Sequence, residues 1–292
     1  MTIRKLLVLS PSHTVYSPAI EQAAELAAAL HAPVQIAMLG KPLGSVPANQ
    51  LQARLENQVC DLRARGALVL SDAKVLEGTA KRAFEYIEQS GADLVLKDPE
   101  VDDGATSSSL DMALALHAPC PVLLAHGRYK ACLEKLFIAA PASCEDMGEQ
   151  ALNAHVIKVA KAIGHSQISG LHVFSVYDQA ALLRHSEHYS LAEIPRYEAL
   201  AVTFRQFTER QGIPALHRHL IVGACAQAIC AYANRCDYDL VVIASPQNTR
   251  QQDIVRYLLD HLDCSLLVVS PPITATSRRV DTSSAGHRLS ST

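Results

Sequence analysis

The stretch Lys5-Leu-Leu-Val-Leu-Ser-Pro-Ser12 occurs a second time, slightly altered, as Lys135-Leu-Phe-Ile-Ala-Ala-Pro-Ala142. Two further matches follow in the same order: Asp93-Leu-Val-Leu96 with Asp239-Leu-Val-Val242, and Cys120-Pro-Val-Leu-Leu124 with Cys264-Ser-Leu-Leu-Val268. Ordered matches of this kind indicate an internal repeat, and a repeat decides the architecture before any single motif does. The sequence therefore predicts two copies of one structural unit.

Within each copy, short runs rich in valine, isoleucine and leucine alternate with longer segments of helical spacing. The runs lack a clean apolar–polar alternation, which is typical of parallel strands covered on both faces. The predicted strands are 3–10, 33–39, 67–75, 92–97 and 121–125 in the first copy, and 135–140, 167–175, 214–221, 239–244 and 265–269 in the second. The pattern predicts an α/β fold with two tandem, doubly wound, five-stranded parallel sheets.

Two helices carry clear start signals. Ser17-Pro18 precedes the alanine-rich segment 21–30, and Thr79 precedes the segment 80–89, which stops at Ser90-Gly91. Serine and threonine are favoured N-caps, and proline is favoured in the first turn. These signals predict that both segments are helices on the faces of the first sheet.

The repeat also sets the expected domain boundaries. The first domain is predicted over residues 1–127 and the second over 134–272, with the extra residues of the second copy lying within about 177–195. Residues 273–292 contain almost no side chain that could form a core, so we expect a flexible C-terminal tail.

Composition excludes several classes of function. The 292 residues carry a net charge of −3, no tryptophan and only 5% aromatic residues, which argues against a nucleic-acid partner. No apolar run approaches the ~20 residues that cross a bilayer, so we expect no membrane partner. The apolar stretch after Lys5 is too short for a signal peptide, which favours a cytoplasmic location.

Cysteines and histidines give no metal pattern. The 8 cysteines are scattered without a Cys-x-x-Cys, which in a reducing compartment favours free, buried thiols. His185 with His188, and His217 with His219, could each present two imidazoles, but the sequence names no third or fourth zinc ligand. No Gly-x-Ser-x-Gly elbow is present to anchor a hydrolase triad. We therefore expect no catalytic residue, no metal and no cofactor.

Ligands of open α/β sheets bind beyond the carboxyl ends of the strands, where the strand order reverses. These places correspond to the loops after the first and fourth strands of each copy. The loop after the fourth strand holds Asp98, Glu100, Asp102 and Asp103 in the first copy, charges that repel a phosphate. In the second copy it offers neutral donors and one cation: Ser245, Asn248, Thr249 and Arg250. An anion, if one binds, is therefore expected in the second copy.

Together, the opening strand Lys5–Leu9, the strand after Ala92 and the end Ala118-Pro-Cys-Pro-Val-Leu-Leu124 resemble a tandem member of the universal stress protein family over residues 3–272. The resemblance implies the adenine nucleotide alpha hydrolase-like fold and a role in survival under stress. It also implies a nucleotide site in members that have an aspartate after strand one and a Gly-x-x-G…Gly-Ser/Thr loop after strand four.

This sequence departs from that nucleotide pattern at nearly every point. Strand one ends in Ser10 in the first copy and in Ala140 in the second, and neither loop after strand four has the glycines. Ser108-Ser109 stands where Gly-Ser/Thr would lie, which keeps these two residues as ligand-binding candidates. The nucleotide site implied by the resemblance is therefore expected to be degenerate.

Three functions remain open on the sequence. The leading hypothesis is a non-enzymatic cytoplasmic stress-response protein that binds a partner or a small ligand. The second is an ATP-binding signalling module with weak ATPase or autophosphorylation activity, which glycines and an aspartate in the two loops would favour. The third is a carrier of an apolar ligand in a cavity between the halves.

A five-stranded sheet of this topology ends in an exposed edge, which natural proteins cover or pair. The apolar strands Val122–Leu124 and Leu266–Val269 occupy equivalent places in the two copies. We therefore expect the halves to pack through their last strands, as an intramolecular pseudo-dimer like the dimer that the resemblance implies for single-domain relatives.

Overall fold

A computed structural model of the chain describes residues 2–11, 16–40, 47–77, 79–100, 109–126, 135–139, 147–164, 170–178 and 193–272. The strands there are β1 (Leu6–Pro11), β2 (Val34–Gly40), β3 (Lys74–Glu77), β4 (Leu94–Lys97), β5 (Val122–Leu124), β6 (Leu136–Ala139), β7 (Leu171–Asp178), β8 (Arg218–Gly223), β9 (Leu240–Ala244) and β10 (Ser265–Val269). The helices are α1 (Pro18–Leu30), α2 (Ala48–Ala64), α3 (Ala80–Ser90), α4 (Ser109–His117), α5 (Met147–Ile163), α6 (Glu193–Arg210), α7 (Cys225–Arg235) and α8 (Thr249–His261).

Side-chain caps fix the starts of two helices as the sequence predicts. The Ser17 hydroxyl accepts a hydrogen bond from the Ile20 N–H at the start of α1, and the Thr79 hydroxyl accepts one from the Arg82 N–H at the start of α3. Gly91 ends α3 with a φ of 60°, a left-handed conformation that glycine adopts without strain.

All ten strands join in one sheet, in the order β3-β2-β1-β4-β5-β10-β9-β6-β7-β8. Every pairing is parallel except that of β5 with β10, which is antiparallel and sets Leu123 opposite Leu267. The last strands therefore pair, as expected. The expectation of two separate sheets is corrected to one continuous sheet, because the pairing of these edges satisfies backbone groups that a lone sheet would leave open.

Two strands begin later in the chain than the sequence predicts. The strand predicted at 67–75 begins only at Lys74, since the preceding segment makes a single isolated bridge at Val69. Instead of a ladder, that segment is held by side chains: the buried Gln35 amide and the Tyr86 hydroxyl both donate to Asp72. The strand predicted at 214–221 begins at Arg218, because Ala215–His217 form a 3-10 turn after Pro214.

Helices cover the sheet on both faces, and the two halves share each face. One apolar layer packs α1, α2, α5 and α6 against the strands, and the opposite layers pack α3, α4, α7 and α8. Because β5 and β10 are antiparallel, the strands of the second half run opposite to those of the first. The carboxyl ends of the two halves consequently lie at opposite ends of the sheet.

Several predicted segments lie outside the described residues. These are the linker after 127, most of the insertion expected within 177–195, and the tail from 273 onward. In the part of the chain that is described, no helix is both long and apolar enough to cross a membrane.

The junction of the two halves gives a first prediction. Replacing the fully buried Leu267 by alanine should lower the free energy of unfolding by about 2–5 kcal/mol, because it leaves a cavity where β10 meets β5. Leu216, which is 87% exposed, provides the control. Leu216→Ala should change the free energy of unfolding by less than about 0.5 kcal/mol. Denaturant titration measures both, and equal effects would contradict the assignment.

Candidate functional site

The strand order reverses at two places. In the first half β1 lies between β2 and β4, and in the second half β6 lies between β7 and β9. The carboxyl ends at the first reversal carry Ser10, Lys97 and Asp98, and those at the second carry Ala139 and Ala244 followed by Ser245. These two places are where a doubly wound sheet binds ligands.

A completely buried ion pair fills the first reversal. The Lys97 ammonium donates to Asp111 Oδ1 at 2.8 Å and to the Asp98 carbonyl at 2.9 Å, and it lies 3.3 Å from Glu100 Oε1. Lys97 and Asp111 have no exposed side-chain surface. The ammonium therefore makes two hydrogen bonds and lies beside two carboxylates, which compensate its buried charge.

The second oxygen of Asp111 also has a partner, because Oδ2 accepts the Glu100 N–H at 2.8 Å. Asp111 belongs to the first turn of α4, so its carboxylate already supplies negative charge at a helix N-terminus. The side chains of Lys97 and Asp111 thereby link the end of β4 to the first turn of α4.

Asp98 acts at the start of a different helix. Its Oδ1 accepts the Ala19 N–H at 2.7 Å, at the N-terminus of α1, and the side chain is 4% exposed. Burial raises the pKa of Asp98 and the nearby Asp111 adds to the rise, against hydrogen bonds from Ser17 and Ala19 and the charge of Lys97. The first half thus presents acids of its own at both helix starts.

Two side-chain oxygen atoms are buried at this reversal. Ser10 Oγ and Asp98 Oδ2 are buried and make no hydrogen bond to any of the described residues, and Ser10 follows directly on the Leu9–Lys97 pair of strands β1 and β4. Buried polar atoms are nearly always paired in native proteins. A group bound here could donate to Asp98 Oδ2, whereas the Ser10 hydroxyl can either donate or accept.

The equivalent positions of the second half are apolar. Lys97 pairs with Leu9 of β1, and Ile243 pairs with Ala139 of β6 in the same register. Asp111 and Val255 each lie six residues before the last residue of their helices, α4 and α8. The buried ion pair of the first half is thus an isoleucine and a valine in the second, both part of an apolar cluster.

The structure brings the four candidates of the second half onto one turn. Ser245 is buried and accepts from the Gln247 amide at 3.2 Å, and the Asn248 oxygen accepts the Gln251 N–H as the N-cap of α8. Thr249 and Arg250 are the first two residues of α8 and are exposed. Ser245 and Asn248 therefore serve the turn itself, while Thr249 and Arg250 face solvent.

The first-half candidates are only partly described. Ser109 is the first residue of α4, and Ser108 lies outside the described residues. The acids Asp102 and Asp103, expected to repel a phosphate, also lie outside, whereas Asp98 and Glu100 have the partners given above. Sequence reasoning missed Asp111; the one available signal was a lysine at the end of an otherwise apolar strand.

Three histidines meet at the edge of the sheet. His172 of β7 stacks on His217 with ring centroids 4.2 Å apart, and its Nδ1 lies 2.9 Å from His219 Nε2. Burial first, and then the neighbouring imidazoles and Lys135, lower the pKa of His172 to about 4, and burial and His217 lower the pKa of His219. His185 and His188 lie outside the described residues, among which no group of three or more side chains could hold a metal ion.

Two cysteines at matching positions are buried. Cys120 precedes β5 and Cys264 precedes β10, and burial raises the pKa of each thiol to about 12. Thiols with such pKa values remain protonated at neutral pH and react slowly. Cys60 on α2 is exposed, whereas Cys132 and Cys144 fall outside the described residues.

Comparison with known proteins finds a family match within the second half and a fold likeness over most of the chain. Residues 145–270 match the universal stress protein family. The fold is similar to a putative universal stress protein from Pseudomonas aeruginosa UCBPP-PA14, with a TM-score of 0.72 and 20% identity over 92% of this chain and 94% of that one. No curated protein matches the chain.

Two further solved structures have the same fold. One, from Pseudomonas aeruginosa PAO1 and of unknown function, has a TM-score of 0.71 and 20% identity over 92% of this chain and 93% of that one. The other, a universal stress protein from Archaeoglobus fulgidus DSM 4304, has a TM-score of 0.60 and 11% identity over 91% and 96%. At these identities the likeness concerns the fold.

The buried ion pair gives a second prediction. Lys97→Ile should lower the free energy of unfolding by about 3–5 kcal/mol, because it removes the ammonium that pairs with the buried Asp111 carboxylate. Lys97→Ile with Asp111→Val copies the second half and should recover most of that loss. A double-mutant cycle by denaturant titration measures the coupling, and additive losses would show that the two side chains act independently.

The histidine group gives a third prediction. A folded-state pKa below the unfolded value means that His172 stabilises the fold above pH 6.5 and that this contribution is lost as the pH falls towards about 4. His172→Phe keeps an aromatic ring in the stack and removes the titration. The free energy of unfolding of this variant should therefore fall less between these two pH values than that of the wild type. An unchanged slope would contradict the expectation.

Proposed function

We propose that the whole chain is a tandem member of the universal stress protein family, with domains at 1–127 and 134–272 and a C-terminal tail at 273–292. Three observations support this: the family match of residues 145–270, the fold likeness over nine-tenths of the chain, and the internal repeat. The β5–β10 junction then corresponds to an intramolecular pseudo-dimer of the two halves. The strand Asp93–Lys97 and the lack of glycines after it most resemble universal stress protein E.

In this proposal the protein is not an enzyme but a cytoplasmic stress-response protein that binds a small ligand or a protein partner. The observation that carries it is the Lys97–Asp111 pair, which links β4 to α4 by a buried ion pair at the strand reversal. An enzyme that uses ATP needs its phosphates held there by backbone N–H groups and a metal ion. The nucleotide site of the first half is therefore degenerate.

The ligand of the first half, in this proposal, is a neutral or cationic hydrogen-bond donor. At the strand reversal Asp98 Oδ2 is a buried acceptor, the buried Ser10 hydroxyl can donate or accept, and neither has a partner among the described residues. A donor group bound between them would remove the cost of about 1–3 kcal/mol that each unsatisfied polar atom imposes. A phosphate would instead add negative charge beside Asp98 and Asp111.

The alternative of an ATP-binding module with weak ATPase or autophosphorylation activity has its remaining support in the second half. There Thr249 and Arg250 are exposed at the start of α8, where a helix N-terminus and a guanidinium could hold an anion. The third hypothesis, carriage of an apolar ligand between the halves, would require a lining without charges.

Calorimetric titration and a turnover assay with ATP and magnesium provide the fourth prediction. The wild type should neither hydrolyse ATP nor label itself with phosphate. Any binding of ATP or inorganic phosphate should weaken about tenfold or more in Arg250→Ala, since one charge-assisted bidentate contact is lost.

Ser109→Ala is the matched control for that titration, because Ser109 begins α4 as Thr249 begins α8. Anion binding should be the same in Ser109→Ala as in the wild type. Binding that survives Arg250→Ala and is lost in Ser109→Ala would place the anion in the first half. Phosphate release from ATP above the rate without protein would show that the chain is an enzyme.

A further inference from the structure

A cleft of about 900 Å³ lies between the two halves, at the end of the sheet where β4 and β5 begin and β10 ends. The first half lines it with the end of α3 and with the residues just before β4 and β5. The second half lines it with one side of α5 and with Ser270, Pro271 and Pro272. The volume is within the range of about 300–1,000 Å³ that is typical of small-molecule sites.

The two halves meet differently on the side of the cleft and on the opposite side. On the opposite side the Gln22 amide of α1 donates to the Ser265 hydroxyl at 2.8 Å, and that hydroxyl also accepts the His126 N–H at 3.2 Å. These bonds tie α1 to the beginning of β10 and so join the two halves.

The side of the cleft has different residues at the equivalent places. Pro121 and Ser265 each follow one of the matched cysteines, Cys120 and Cys264. In α1 the exposed Glu25 interrupts the buried face, and Gln22 lies three residues before it. In α5 the exposed Lys158 interrupts the buried face, and His155 lies three residues before it. Gln22 and His155 are therefore at equivalent positions. Pro121 has no hydroxyl with which to form the Gln22–Ser265 type of bridge. The halves are joined here instead by the Ser270 hydroxyl, which donates to the Ala118 and Cys120 carbonyls at 2.7 and 3.1 Å.

The walls of the cleft carry opposite charge. The first half contributes the carboxylates of Glu88 and Asp93. The Asp93 carboxylate also accepts the Arg4 N–H, and the Lys5 ammonium already binds the last carbonyl of α3, that of Ser90. The second half contributes Lys158, which lowers the pKa of His155 in addition to the effect of burial. Among the described residues neither Glu88 nor Lys158 belongs to an ion pair, so both charges are available to a ligand.

Between the charged walls the lining is apolar. Pro119, Pro121, Pro271 and Pro272 contribute two rings from each half, and Ile87 and Ala92 lie beside them. A ligand that complements all three surfaces has an ammonium group, an apolar body and a carboxylate. We propose that this cleft binds short peptides with free termini, the ammonium at the Glu88 wall and the carboxylate at Lys158.

Calorimetry with the tripeptide Ala-Phe-Ala tests the proposal on the full chain. The peptide with free termini should bind with a dissociation constant of about 1 mM or lower. Its N-acetylated and C-amidated forms should each bind about tenfold more weakly, because each loses one charged contact. Lys158→Met should weaken the free peptide and leave the amidated form unchanged. Glu25→Gln, at the equivalent position on the opposite side, should leave all forms unchanged.

A second variant is designed to bridge the cleft instead of removing a charge. Pro121→Ser with His155→Gln recreates the pair that Ser265 and Gln22 form on the other side, and it should abolish peptide binding while the protein keeps its melting temperature. Equal affinity for free and blocked peptides would overturn the proposal, as would wild-type binding by a correctly folded double variant. Loss of Arg250 should have no effect, which separates this cleft from the anion site that the ATP-binding alternative places at the start of α8.

Discussion

The architecture depends on one strand pairing, the antiparallel contact of β5 with β10. Each half ends its sheet in a short, completely buried apolar strand, and each last strand provides the hydrogen bonds that the other lacks. Because the axis relating the halves is perpendicular to the sheet, helices of both halves share the same two faces. One apolar layer can therefore extend from Leu6 through Leu123 and Leu267 to Leu240. The junction thus belongs to the core.

Away from this shared core, equivalent positions of the two halves can carry different side chains. The first reversal buries a lysine and an aspartate where the second buries isoleucine and valine, and both arrangements are fully packed. Replacing a buried ion pair by apolar side chains of similar volume is often neutral or stabilising, so stability alone does not explain Lys97 and Asp111. Their distinctive effect is to place a compensated pair of charges at the strand reversal, where the second half has only apolar side chains.

The sequence predicts most of the fold because the information is local. Apolar runs mark the strands, Ser17 and Thr79 cap their helices, and the repeat brings the last strands together. The predicted beginnings of β3 and β8 were wrong for different reasons. Before β3, side-chain hydrogen bonds at Asp72 take the place of ladder bonds, and before β8 a 3-10 turn follows Pro214. The site was predicted less well, since its decisive contacts are distant in sequence. Asp111 follows Lys97 by 14 residues, and Gln22 precedes Ser265 by 243.

Comparison of the two halves shows which side chains differ at equivalent backbone positions, and a single domain offers no such comparison. Each half is an internal reference for the other, because the same backbone position carries two different side chains in one molecule. Where the side chains agree, as at Cys120 and Cys264, their common role is packing. Where they differ, at Lys97 and Ile243 or at Pro121 and Ser265, one half makes an apolar or hydrogen-bonded contact and the other places a charge or lines the cleft. Packing accounts for the agreements, so the differences are where binding specific to this chain is to be sought.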